Sequence, residues 1–286
     1  MLDALRAEWF KVSHRRMTYI LLLAAVALTA LFYVILWLRI RDGPDPGVNG
    51  IVRLLALKEG MAFKNVVPYG FALERFFATL VCVIFTGTMM GNEYDWRTVG
   101  VVTGRGVKRW HFILAKVVSS VVFTLVTVVL CFLVAMALSA WFSHLYDLPF
   151  GSFSGARVLD MFASAGRTSF VILPFVLMSL VFATQWRSAG QAVGVSLGFY
   201  FVEGIFTSLL NNARGFLSHV PEALFNINGD AVMRANGVLG RSGEGGPFAI
   251  PESGPPEWRA GLILGIWLAL FVVALFWRFQ RRDIQE

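Results

Sequence analysis

Glu203 lies in residues 188–213, a stretch that holds no other charge. A carboxylate buried in such a run costs about 2.5–3.5 kcal/mol to insert into a membrane unless it is paired or hydrated. Chemistry of that kind belongs to a translocation path or gate. The plainer reading is equally open: a neutralised carboxyl, or one paired with an arginine near the span end such as Arg75, Arg167 or Arg214. A second group of polar residues occupies 91–110, GNEYDWRTVGVVTGRGVKRW, followed by Lys116. Acids at its start, the apolar Val99, Val101 and Val102, a Gly-Arg-Gly break and a basic end predict a short helix closed by a turn. Glu93 and Arg109 are placed to brace that helix to the span ends, and the valines offer apolar surface to a partner groove. On the residues alone, a solvated loop that only sets topology fits as well.

Hydrolytic and metal chemistry find little support. His14, His111, His144 and His219 sit at span ends or in loops, and neither HExxH nor a paired membrane acid is present, so no set of catalytic groups converges on a scissile bond. Gly104-Arg105-Gly106-Val107-Lys108 lacks the spacing and the following hydroxyl of a phosphate-cradling loop. No metal site, cofactor or enzymatic activity is therefore expected of this chain itself.

The elements that must position these residues follow from composition. The 286 residues are 57% hydrophobic and 15% charged, against ~45–50% and ~25% in soluble domains, and mean hydropathy is +0.66. Cys82 and Cys131 lie in apolar runs, which argues against a disulfide. The net charge of +7 flanks apolar runs instead of gathering on one solvated face, so nucleic acid is not an expected partner. A hydrocarbon core needs about 20 apolar residues per helix, which predicts six spans at 17–40, 72–92, 112–142, 168–186, 188–211 and 260–278. The apolar run of the first exceeds a signal-peptide core, so it is read as an uncleaved span.

The expected fold is thus an all-α membrane protein with one domain over 1–286, six transmembrane helices, an interfacial helix at 1–16 and short extracellular re-entrant segments. The side holding 1–16, 92–116, 185–188 and 278–286 carries 13 Lys and Arg in 54 residues, against 12 in 109 opposite. That asymmetry makes the first side, with both termini, cytoplasmic, although Arg39, Arg41 and Arg75 are countersignals. Residues 212–259 form the largest outer loop. Its part at 215–233, with Pro221, is apolar enough for short helices dipping toward the membrane, and 237–256 is rich in Gly and Pro.

Two helices carry further patterns. Leu2, Leu5, Trp9 and Val12 recur at helical spacing with Asp3, Arg6, Glu8, Lys11 and Arg15 on other faces, the pattern of a helix lying in the interface. It serves as a topological anchor, or as a docking surface for a cytosolic partner. Gly190, Gly194 and Gly198 form a small-residue stripe suited to close helix packing, and Glu203 points about 180° away from Gly194.

The segment from Glu93 to Lys116 resembles the cytoplasmic loop of ABC-2 type transporter permeases. Glu93, Thr98, Arg105, Gly106, Val107, Arg109 and Lys116 match its pattern; Arg97 stands where the family often has Gly, and Val101 and Val102 replace leucines. The resemblance extends to the N-terminal helix, the six spans and the Pro-containing segment 220–225. It implies a coupling loop at 92–110 and a permease that works with a second copy or a paralogue. It further implies two separate ATPase subunits that hold ATP and Mg, and export of a substrate across a prokaryotic cell membrane. Aromatic-rich spans and a mostly uncharged interior favour hydrophobic or amphipathic cargo, such as a lipid, drug or peptide, over a small ion, and plain lipid-facing packing accounts for aromatics at this density as well. A stand-alone channel or secondary carrier, or a membrane assembly protein without transport, are the other classes.

Overall fold

The structure, a computed structural model, describes residues 2–44, 47–104, 108–151, 154–210, 220–237 and 254–281. These are all-helical, with no strand among them. Six helices are long and apolar enough to cross a membrane: α2 (Arg16–Arg41), α4 (Val66–Asp95), α6 (Arg109–Leu145), α7 (Gly155–Trp186), α8 (Ala189–Leu210) and α10 (Glu257–Arg281). Four shorter helices join them: α1 (Leu2–His14), α3 (Val48–Met61), α5 (Thr98–Gly104) and α9 (Phe225–Met233).

The bundle is built around α4 and α7. In each, 72% of the most apolar window is buried, against 17–22% for α2, α8 and α10, so two central helices are ringed by lipid-facing ones. Aromatic stacking joins α4 to α6: Phe85 lies on Phe123 at 3.6 Å and Phe71 on Phe132 at 4.2 Å between ring centroids. Close backbone approach joins α4 to α8. A side chain at Gly91 would meet the Ala189 backbone at 2.4 Å, so only glycine fits there. Between α4 and α7, Ser179 Oγ donates to the Val83 carbonyl at 3.1 Å.

Three elements depart from the sequence-based boundaries. Residues 48–61, read as outer loop, form α3, which packs Leu54, Leu57 and Met61 inward and leaves Val48, Ile51, Val52 and Leu55 exposed at helical spacing. Helix α4 starts at Val66, six residues before the expected 72, and Glu74 and Arg75 lie two turns into it, so Glu203 shares the spans with a second acid. Helix α7 starts at Gly155 and runs for 32 residues, about 48 Å at 1.5 Å per residue, which exceeds the ~30 Å of hydrocarbon. Its charged first turns therefore extend past the apolar core or tilt within it.

Helix α9 is a short helix packed against the bundle. Phe225, at its start, is buried against Phe175 at 5.0 Å, Trp267 at 5.3 Å and Phe199 at 5.5 Å. Most of the rest of 212–259, residues 212–219 and 238–253, falls outside the described residues.

Candidate functional site

At the end of the bundle that carries the N-terminus, α1 leads into α2 through one extended residue, Arg15. Thr18 Oγ1 donates to the Val12 carbonyl at 2.7 Å and Tyr19 Oη to the Ser13 carbonyl at 2.7 Å, fixing the corner. Glu8 and Lys11, three residues apart, project to the same side of α1, toward Lys116 two turns into α6. The Lys116 side chain is wholly buried. Its ammonium has three protons and no acceptor, and three oxygens receive them: Glu8 Oε1 at 2.7 Å, Glu93 Oε1 at 3.0 Å and the Met89 carbonyl at 3.5 Å.

Glu93, near the end of α4, is the hub. Its carboxylate also accepts from Lys11 Nζ at 3.1 Å and Arg15 Nη2 at 3.2 Å. Thr98, the first residue of α5, donates to the same carboxylate and lies 3.1 Å from the Glu93 carbonyl. The turn between α4 and α5 is made by Arg97, whose φ of 54° is the left-handed region where a side chain is disfavoured and glycine is at ease. Trp96, exposed beside it, lies under the Arg15 guanidinium at 5.3 Å. Sequence reasoning named Glu8, Lys11, Glu93, Thr98 and Lys116 in separate elements; the fold brings them into one ionic cluster. Arg15, noted in the sequence only as one charge of the interfacial pattern, joins them, and Trp96 and Met89 complete the surroundings without a signal of their own in the sequence.

The other expected coupling residues fall differently. Val99 is buried in the apolar cluster that also holds Met90, Phe112 and Leu180, so it seats α5 on the bundle and is unavailable to a partner, while Val101 is exposed. Arg109 Nη1 donates to the Gln280 carbonyl at 3.1 Å, tying the start of α6 to the end of α10. Arg105 and Gly106, with the side chain of Val102, lie outside the described residues. Leu5 and Trp9 face away from the ionic cluster and line a groove between α1 and α6. Gly190, Gly194 and Gly198 form an open stripe on α8, with no described residue beyond the helix's own turns within 4 Å of where a side chain would begin.

A second polar cluster sits at the opposite end. Buried Glu203 accepts the Asn226 backbone N–H on Oε1 at 2.6 Å, in the first turn of α9, and its Oε2 has no partner among the described residues. A carboxylate at that position meets both the free N–H groups and the positive end of the helix dipole. Of the three arginines considered for it, Arg75 pairs with Asp230 on α9 and donates to Asn226. Arg167 donates to the Ala235 carbonyl and to Asn236, and Arg214 lies outside the described residues. Gly229 allows the approach: a side chain there would strike Val171 at 2.6 Å and Arg75 at 2.8 Å. Glu74, one residue before Arg75, is wholly buried with neither carboxyl oxygen bonded to a described residue, and sequence reasoning passed over it because it sits at the charged edge of the expected span.

Residues 69–285 match the model of a family described as a protein of unknown function, DUF2705. The chain belongs to the DUF2705 family. Within this multi-pass membrane protein the family match takes in α6–α10 and almost all of α4, hence Arg75, Glu93, Thr98, Lys116, Glu203 and Asp230, while Glu8, Lys11 and Arg15 precede it. No curated protein matches the chain.

Proposed function

We propose that this DUF2705 protein is the permease subunit of an ATP-driven exporter of the ABC-2 type, and that the ionic cluster is its transmission joint. The observation that carries this reading is Lys116, buried between Glu8 of α1 and Glu93 of α4. One ammonium thereby fastens the interfacial helix, the α4–α5 turn and α6 to each other. A push on exposed Trp96 or Val101 would reach the centre of the bundle through α4 without first being lost in a loose loop. The resemblance to ABC-2 permeases at Glu93, Thr98, Arg109 and Lys116 points the same way.

On this reading the end carrying α1 and α5 is cytoplasmic, as its Lys and Arg density favours. Two separate ATPase subunits bind there with their ATP and Mg, and a second permease copy or paralogue completes the pathway. ATP-loaded subunits drive the exchange of inward- and outward-open arrangements by binding one better than the other. The cargo is hydrophobic or amphipathic. A secondary carrier is the second reading, and Glu74 favours it, because an unpaired acid inside a span is the feature that ion-coupled carriers use.

Affinity purification of the full chain from its native membranes, with mass spectrometry of the bound subunits, separates the two. Export by the proposed mechanism requires a Walker-motif ATPase at equal stoichiometry, released by Val101→Glu while membrane insertion stays normal. Transport by the purified chain alone, driven by an ion gradient, would refute it.

A further inference from the structure

The face of α1 that turns away from Lys116 does not pack closely on the bundle. Between it and α6 lies an open groove of about 430 Å³, lined on one wall by Leu5, Arg6, Trp9 and Phe10 and on the other by Val118 and Val122. Arg6 is the one charge on its walls, and it makes no hydrogen bond or ion pair with any described residue. We propose that this groove binds one anionic phospholipid, with the phosphate on Arg6 and an acyl chain laid along Val118 and Val122.

Depth identifies the occupant. Val118 and Val122 stand nine and thirteen residues past Arg109, the first residue of α6, roughly 14 and 20 Å along its axis. A water-soluble partner does not reach that level, whereas lipid surrounds it. The wall is also continuous with the lipid-facing side of α6, where Val118, Val121, Leu125 and Val129 are exposed one turn after another. Charge then selects among lipids. An unpaired guanidinium at the mouth of an apolar trench, beside exposed Trp9 at the interfacial level, complements a molecule with an anionic head and a hydrocarbon tail. A lipid so placed supports α1 from the side opposite the Glu8–Lys116 pair, so that α1 is clamped between a buried ion pair and a bound lipid.

Native mass spectrometry of the detergent-purified full chain, titrated with dioleoylphosphatidylglycerol or dioleoylphosphatidylcholine, tests this. Retention of one phosphatidylglycerol above the phosphatidylcholine background is expected. Arg6→Gln should weaken that one site roughly tenfold, the value of one charge-assisted contact, and erase the preference for the anionic head. Val118→Trp should fill the groove and abolish the site, whereas Leu270→Trp, on the exposed face of α10, should leave it intact. Hydrogen exchange should show α1 slowed by phosphatidylglycerol in the wild type and not in Val118→Trp. Equal retention of both lipids, or a phosphatidylglycerol site that survives Val118→Trp, overturns the proposal. So does loss of chain–chain association in Val118→Trp without change in lipid binding, which assigns the groove to a second copy. None of these readouts depends on an ATPase partner, so failure here leaves the exporter reading standing, and the reverse holds.

Discussion

Replacing Lys116 by methionine is the sharpest perturbation of the ionic cluster, because the penalty falls on one identifiable group. Glu93 keeps Lys11 at 3.1 Å and Arg15 at 3.2 Å, whose side chains are 33% and 24% exposed and so remain partly hydrated. Glu8 keeps nothing: Lys116 is its one partner among the described residues, and its side chain is 4% exposed. A buried charge stripped of its partner costs about 3–5 kcal/mol, so Lys116→Met should destabilise the chain by that amount. Glu8→Gln should cost less, about 1–3 kcal/mol, since Lys116 still holds Glu93 and the Met89 carbonyl. In the double variant no charge is stranded, and its cost should stay near that of a single unsatisfied amide, about 1–3 kcal/mol, well short of the sum. Equilibrium unfolding by SDS in mixed micelles measures all four corners of this cycle. Simple additivity, with coupling under about 0.5 kcal/mol, would show that Glu8 and Lys116 do not act as a pair and would remove the cluster from the account.

Other expectations follow from single observations. Glu203→Leu deletes the acceptor at the start of α9 and should cost about 1–3 kcal/mol and speed hydrogen exchange in 225–233, while Glu203→Gln retains an acceptor and should do neither; unaltered exchange in Glu203→Leu would make the contact incidental. Glu74→Met removes an unpaired buried acid and should stabilise the bundle in the same SDS titration by up to about 3 kcal/mol, so a loss of stability would reveal a partner for that carboxyl. Arg97→Gly relieves a left-handed side chain and should gain about 0.5–1 kcal/mol after the added chain entropy of glycine, whereas a loss would mean that the Arg97 side chain itself holds the turn. Cysteines placed at 105 and 245 should label from opposite faces of the membrane; labelling from one face would sink the six-span topology.

Much of the fold is legible because the bilayer imposes a length rule that residue types alone can meet. Each long uncharged run became a helix, and Lys and Arg mark the ends of those runs. The rule failed where charge enters a helix and is satisfied from far away. Glu74 and Arg75 stand in the first turn of the expected span 72–92, with Arg75 read as a countersignal to the topology, yet Arg75 finds Asp230, 155 residues on, in α9. Helix α3 was hidden for a related reason: its alternation of glycine, charged and apolar residues lacks the uncharged length of a span, and its amphipathic face is visible only once Leu54 and Leu57 are seen to pack inward. Glu203 stood out by type, but its partner is a backbone N–H, which no sequence pattern advertises. The ionic cluster shows the same limit more sharply. Its members were singled out in three separate elements, and what joins them are contacts across 108 residues for Glu8 and Lys116 and 23 for Glu93 and Lys116.

The two polar joints share one helix, and that constrains how the bundle moves. Helix α4 supplies Glu93 to the cluster at one end and Arg75 to α9 at the other, 18 residues or about 27 Å apart along a continuous helix. An α-helix of that length, buried along most of its course and stacked on α6 through Phe71 and Phe85, transmits displacement as a rigid rod more readily than it bends. If α4 shifts along its axis at the Glu93 end, Arg75 must shift with it, and then either α9 follows or the Arg75–Asp230 pair opens. Keeping the pair is the cheaper course, since Arg75 is largely buried and would be left without its carboxylate partner. On the proposed function, motion arriving through α1 and α5 would therefore be delivered to α9, and through the Asn226 contact to Glu203, at the far side of the bundle. This requires no chain of side-chain rearrangements between the two ends, only the stiffness of α4 and an ionic joint at each end of it.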